Sequence, residues 1–164
     1  MPRSRLISRR TILFAAAVAG CSDRVGAEED RLATAPLTIV TASGRLRFTV
    51  EVAATPDQME RGLMFRRSLA PDAGMLFDFR QPTMATMWMR NTLIPLDMLF
   101  VDAQGRIVNI HERAVPESDN VIAAAAPVRY VIELNGGTAA RLGIAPGDKV
   151  EGPIFGNGSD RPSD

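Results

Sequence analysis

Met98-Leu99-Phe100-Val101-Asp102-Ala103-Gln104-Gly105-Arg106-Ile107-Val108-Asn109-Ile110 consists of two short apolar runs joined by a polar turn. Gly105 ends that turn, and glycine takes the left-handed backbone conformation without a Cβ penalty, so the stretch reads as a β-hairpin. Both faces of residues 98–101 are apolar. A strand with no polar face has no side to give to water, which places it in the interior of a closed or covered sheet.

The flanking chain continues the pattern. Residues 37–41 and 46–52 are alternating, β-branched runs separated by Ala42-Ser43-Gly44-Arg45, predicting a second hairpin with Phe48, Val50 and Val52 on one face. Thr55-Pro56-Asp57-Gln58 then opens a short helix, with threonine as N-cap, proline at the first position and glutamine as the capping-box partner. Met59 and Leu63 lie one turn apart on its apolar face, and Gly62 is placed to end it. Residues 75–79 and 86–89 read as strands, and the alanine- and proline-rich residues 114–127 as a long loop. Val128, Tyr130, Ile132 and Leu134 alternate with Arg129, Val131 and Glu133 in a further strand. Asn135-Gly136-Gly137 leads from it to a second short helix that Gly143 closes, and Pro146-Gly147-Asp148 turns the chain into a last strand, Lys149-Val150-Glu151.

Ahead of this body stands a different kind of segment. Arg3, Arg5, Arg9 and Arg10 precede residues 11–20, which are apolar and small, and the chain turns polar at Ser22. That order is a secretory signal's, and the apolar run is too short for a bilayer core of about 30 Å. Ser8-Arg9-Arg10-Thr11-Ile12-Leu13 resembles a twin-arginine export signal. Val18-Ala19-Gly20-Cys21 resembles a bacterial lipobox, and Cys21 is the single cysteine of the chain. A lone thiol in an oxidising compartment has no disulfide partner, and lipidation of Cys21 accounts for it. Acyl chains, at about 0.8 kcal/mol per buried CH₂, would hold the protein to a membrane without a spanning helix. Cleavage after Val25-Gly26-Ala27, giving an unanchored periplasmic protein, is the competing reading. The expected organisation is a signal segment at 1–21, a flexible tether at 22–36, one β-rich domain at 37–155 and a frayed tail at 156–164.

Charge narrows the function classes. The chain has 19 cations and 19 anions, and setting the four leader arginines aside leaves a mildly acidic body. Nucleic-acid binding needs a clustered basic footprint, and Arg66-Arg67 is the longest basic run in the body, so no nucleic-acid partner is expected.

Three stretches of the body carry a family resemblance: Arg61-Gly62-Leu63-Met64-Phe65-Arg66; Trp88-Met89-Arg90-Asn91-Thr92 with Pro95-Leu96-Asp97; and Glu133-Leu134-Asn135-Gly136-Gly137 leading to Gly147-Asp148. Together they resemble the bacterial and archaeal family called domain of unknown function 192, from about residue 37 to residue 152. The resemblance implies a small, barrel-like domain, often exported, of unestablished role. With the pattern above, the expected fold is mainly β (α+β), mostly antiparallel, with two short helices.

The motifs supply Arg66, Trp88, Asn91, Asp97 and Glu133 as candidates for ligand binding, Asn91 and Asp97 hydrogen-bonding beside the Trp88 ring. A structural alternative has Asn91 and Thr92 ending a strand, with Asp97 accepting backbone N–H bonds in the turn that Pro95 shapes. Arg66 and Glu133 are expected to pair with each other or to line a cleft. No catalytic residue, cofactor or conventional metal site is expected: His111 is the one histidine, just past a strand beside Glu112 and Arg113, where a solvated loop position suits it. The reading is a non-catalytic binding or interaction module of the cell envelope, for a small molecule or an envelope protein. Two alternatives stay open. One is soft Cu(I) handling by Met84, Met87 and Met89, against which stands methionine's use as core filler. The other is a carboxylate-dependent hydrolase, for which Asp97 and Asp102 would have to meet, although odd spacing in one strand puts them on opposite faces.

Overall fold

The computed structural model describes residues 32–156. The leader, Cys21 and residues 157–164 of the tail lie outside them. The elements run β1 (Ala33–Thr41), β2 (Gly44–Ala53), α1 (Pro56–Arg61), β3 (Ala73–Thr83), β4 (Thr86–Met87), β5 (Leu96–Val101), β6 (Ile107–Ala114), β7 (Ile122–Ala123), β8 (Val128–Asn135), α2 (Thr138–Leu142) and β9 (Lys149–Glu151), followed by a 3₁₀ turn at Pro153–Phe155. Seven strands form one curled sheet in the order β6-β5-β8-β3-β2-β1-β9, and β4 pairs with β7 in a separate ribbon. The fold is mainly β with two short helices, a half-barrel.

The two hairpins form where local chemistry places them. β1 and β2 pair from Ala33↔Val52 to Thr41↔Gly44 around the two-residue turn Ala42-Ser43. β5 and β6 close through Asp102, whose carboxylate accepts the N–H groups of Gln104 (2.9 Å) and Arg106 (2.8 Å), while Gly105 sits at φ 82°. All six residues of β5 are buried, because the strand lies between β6 and β8 with both faces covered. The outer strands meet at one corner: Val150 N–H reaches Gly105 O, Ile107 N–H reaches Asp148 O (2.9 Å), and Arg106 bridges to Lys149. These bonds satisfy edge groups that an open sheet would leave to solvent.

One pairing departs from the antiparallel pattern. β2 and β3 run parallel, Val50 opposite Gly74 and Val52 opposite Leu76. A parallel pair needs a crossover, and residues 54–72, which include α1, supply it. The helix itself has the cap its sequence specifies: Gln58 N–H donates to Thr55 Oγ1 and Gln58 Oε1 accepts from Thr55 N–H.

Alternation along the central strands divides the core. Leu76, Leu99, Tyr130, Ile132 and Leu134 join Ile39, Phe48 and Val50 in one cluster, capped by Ala139 of α2 and by Val150. Met75, Phe77, Met98, Phe100 and Val131 form a second cluster with Leu63, Met89, Leu96 and Ala114. Each large side chain so buried contributes roughly 1.5–3 kcal/mol, and this second layer is what lets β3, β5 and β8 be apolar on both faces.

Among the boundaries that differ from the sequence reading, four do so through long-range pairing. Residues 33–36, expected in the tether, belong to β1; Pro36, exposed, is tolerated there because the β9 ladder pairs only with residues 38–40. The strand expected at 86–89 ends at Met87, since Met89 N–H turns to Ser118 O (3.0 Å). The expected loop at 114–127 contains β7, drawn into order by β4. His111 lies within β6, exposed, opposite Met98, rather than beyond a strand end.

Candidate functional site

β8 sends Tyr130, Ile132 and Leu134 into the first cluster, and strict alternation sends Glu133 to the other face. Its cross-strand neighbours are Met75 on β3 and Met98 on β5, both wholly buried. Glu133 is itself 4% exposed; among the described residues no side chain or amide hydrogen-bonds its carboxyl group, and no sealed side-chain oxygen lacks a partner, so its oxygens open onto the space beside them. Loss of hydration therefore pushes its pKa up to about 8, so the group is mostly neutral at pH 7.

Over this carboxyl lies a pocket of about 350 Å³. Met59, Leu63 and Met64 wall it from α1 and the following turn, Phe77 and Phe79 from β3, and Met87 and Trp88 from β4 and the segment after it. Thr92 adds a hydroxyl, and Glu60 and Arg61 stand exposed beside it. The crossover that parallel pairing demands thus also builds one wall. Gly62 brings that wall close: a Cβ there would meet Phe77 Cζ at 3.2 Å.

A shallower groove continues from the pocket, sharing Glu60, Arg61, Met64 and Trp88 and adding Asp57, Phe65, Arg90 and Asn91. Trp88, 45% exposed, belongs to both. The Arg90 guanidinium lies 4.6 Å over its ring and holds Asp119 Oδ1 at 2.8 Å, which fixes the indole's outer face. Phe65 N–H donates to Asn91 O at 2.8 Å, and both residues occupy left-handed backbone, at φ 64° and 55°. Such a conformation costs on the order of 1 kcal/mol for a phenylalanine, and here it leaves the ring 63% exposed at the groove.

Of the expected site residues, Trp88 and Asn91 come together here, and Glu133 lines the pocket floor. Arg66 and Glu133 do not pair. Arg66 binds Glu51 in a two-pronged bridge at 2.6 and 2.5 Å, because β2, not β8, runs beneath it. Asp97 does not adjoin Trp88. It is fully buried, and its oxygens accept the N–H groups of Arg113 (2.8 Å), Gly137 (2.8 Å) and Ala139 (2.7 Å). It does accept backbone bonds, but from β6 and the start of α2 rather than from its own turn. Asp102 serves the hairpin at the far end of β5, five residues or roughly 17 Å away at strand rise, so the two aspartates do not meet. Met84 is 57% exposed, Met87 half-buried and Met89 fully buried, so the three thioethers occupy different environments. Among the described residues no three His, Cys, Asp or Glu side chains cluster as metal ligands would.

Residues 38–152 match the family described as Uncharacterized ACR, DUF192. The chain belongs to the DUF192 family. Two solved structures resemble this DUF192 domain closely. A candidate transcription regulator from Sinorhizobium meliloti is 52% identical, with a TM-score of 0.74 over 75% of this chain and 96% of that one. A protein of unknown function from Novosphingobium aromaticivorans is 51% identical, with a TM-score of 0.69 over 71% and 83%. No curated protein matches the DUF192 chain.

Within this DUF192 domain, sequence reasoning missed most of the pocket wall. Met59 and Leu63 were legible as an apolar helix face, but nothing local says what that face covers. One signal was present: Glu133 is the single acidic residue of β8, set between Ile132 and Leu134.

Proposed function

We propose that this protein is a non-catalytic binding module of the cell envelope, held at a membrane by a lipid on Cys21, that takes a small, largely apolar molecule into the pocket above Glu133. One observation carries the reading: an apolar pocket of about 350 Å³ is floored by the carboxyl of a largely buried residue, Glu133, whose oxygens open to it and meet no protein partner among the described residues. That volume falls within the roughly 300–1,000 Å³ of small-molecule sites, and such sites pair apolar walls with few polar groups. A lone carboxyl is costly to bury, and core packing alone would be served better by leucine or methionine at that position. The strained Phe65–Asn91 contact beside it is the kind of backbone feature that collects at binding sites.

Trp88 is the single tryptophan, so its emission reports on the pocket directly. Titration with 1-octanol is expected to shift that emission saturably. A shift that merely follows bulk solvent, without saturation, overturns the reading. For the anchor, mass spectrometry of protein extracted from membranes is expected to find acyl mass on Cys21. Recovery of intact chains that retain Met1 and a free thiol overturns it.

A further inference from the structure

We propose that the pocket selects organic cations, an ammonium group on an apolar body, and that Glu133 is the group that recognises the charge. This rests on the reading that the pocket is a binding site, and adds which chemistry it prefers.

Met75 and Met98 flank Glu133 on the neighbouring strands and offer no hydrogen-bond donor. Among the described residues no arginine, lysine or histidine pairs with it. An ammonium entering the pocket supplies both the missing donor and the missing charge. The resulting charge-assisted hydrogen bond forms in a low-dielectric setting, where it is stronger than in water. The walls favour the same class of ligand. Phe77 and Phe79 line the pocket with aromatic rings, a kind of side chain that attracts cations as Trp88 does Arg90 at 4.6 Å, while the thioethers of Met59, Met64 and Met87 adapt to an alkyl body. An anionic ligand would meet a second negative charge or a carboxyl forced to stay neutral. The other charged groups at the pocket are Glu60 and Arg61 of α1, and both are exposed whereas Glu133 is buried.

The proton balance distinguishes this from a neutral ligand. When an alkylammonium binds a protonated Glu133, the carboxyl gives its proton to solvent and the ion pair forms, so binding releases one proton. A ligand carbonyl or hydroxyl accepting from the protonated carboxyl releases none. Burial holds the carboxyl neutral below about pH 8, so affinity for a cation rises with pH up to there, approaching tenfold per unit.

The test uses calorimetric titration of the protein with octylamine, 1-octanol and octanoate at pH 7, in two buffers of different ionisation enthalpy. Octylamine is expected to bind at least about tenfold more tightly than 1-octanol, with release of close to one proton, and octanoate is expected to bind most weakly. Glu133→Gln is expected to bring octylamine down to the level of 1-octanol and to abolish proton release. If that variant does not fold, the wild-type proton release and its pH dependence decide. Octanol or octanoate binding as tightly as octylamine, or octylamine binding without proton release, overturns the cation assignment and leaves the pocket standing. Failure of all three to bind overturns the pocket as well.

Discussion

Asp97 accepts the amide N–H of Gly137 at 2.8 Å, a bond that spans 40 residues of chain. Its second oxygen takes Ala139 N–H, and its first also takes Arg113 N–H, at a bulge in β6 where Leu96 pairs with Ala114 but Met98 with His111. One buried carboxylate thus ties β5 to the irregular point of β6 and to the first turn of α2, serving backbone donors that would otherwise be orphaned.

Asp97→Asn removes that capacity, since an amide offers one acceptor oxygen and places an NH₂ against backbone donors. The expected loss is about 2–4 kcal/mol, the cost of leaving buried donors unmet beside a group that has lost its charge. Thermal unfolding by circular dichroism checks it. A midpoint within a degree or two of the parent would show that the clasp contributes little.

Glu133 imposes a pH dependence on stability. Its folded pKa of about 8 lies above the ordinary 4.5, so between those values the unfolded chain binds fewer protons than the native one. Stability is then full below about pH 4.5 and declines as pH rises through the window to about 8. The decline amounts to at most about 5 kcal/mol by linkage. Urea unfolding of the parent and of Glu133→Gln at pH 5 and pH 8 measures it: the variant is expected to gain on the parent at the higher pH. Equal differences at both pH values would remove the argument.

Arg66 and Glu51 form a half-exposed, two-pronged bridge. A double-mutant cycle with Arg66→Ala and Glu51→Ala is expected to give a coupling of about 0.5–1 kcal/mol, typical of pairs that water still reaches. The same cycle between Arg66 and Glu133 is expected to give none, and coupling there would contradict the observed pairing.

Gly74 in β3 lies against the backbone of the very residue that floors the pocket. A Cβ at that position would stand 2.6 Å from Glu133 O and 2.8 Å from Leu134 Cδ2. Gly74→Ala must push β3 from β8, at an expected cost of about 2–3 kcal/mol. Chemical denaturation measures the loss, and 1-octanol affinity is expected to fall with it. An alanine variant as stable as the parent would mean that this packing yields more readily than the geometry implies.

Much of the fold was legible because it is local. The capping box at Thr55 and Gln58, the turn at Asp102–Gly105 and the alternation of β8 each depend on residues within a few positions of one another. The parallel β2–β3 pair, the β4–β7 ribbon and the first four residues of β1 were not legible, since their order comes from partners far along the chain. The site divides in the same way. Trp88, Asn91 and Glu133 stood out as residue types in motifs, whereas Arg66 and Asp97 stood out equally, yet Arg66 holds Glu51 of β2 and Asp97 holds backbone N–H groups.

Sequence alone was enough to say that these residues make a small, mainly β domain and that position 133 carries an acid on an apolar strand, because hydrophobic period and turn chemistry act over a few residues. What surrounds that acid was settled by tertiary structure. Met59 to Met64, Met87 to Thr92 and Glu133 are brought together by strand order and a crossover. A carboxyl's hydration, and so its charge, depends on which side chains close over it rather than on its neighbours in the chain.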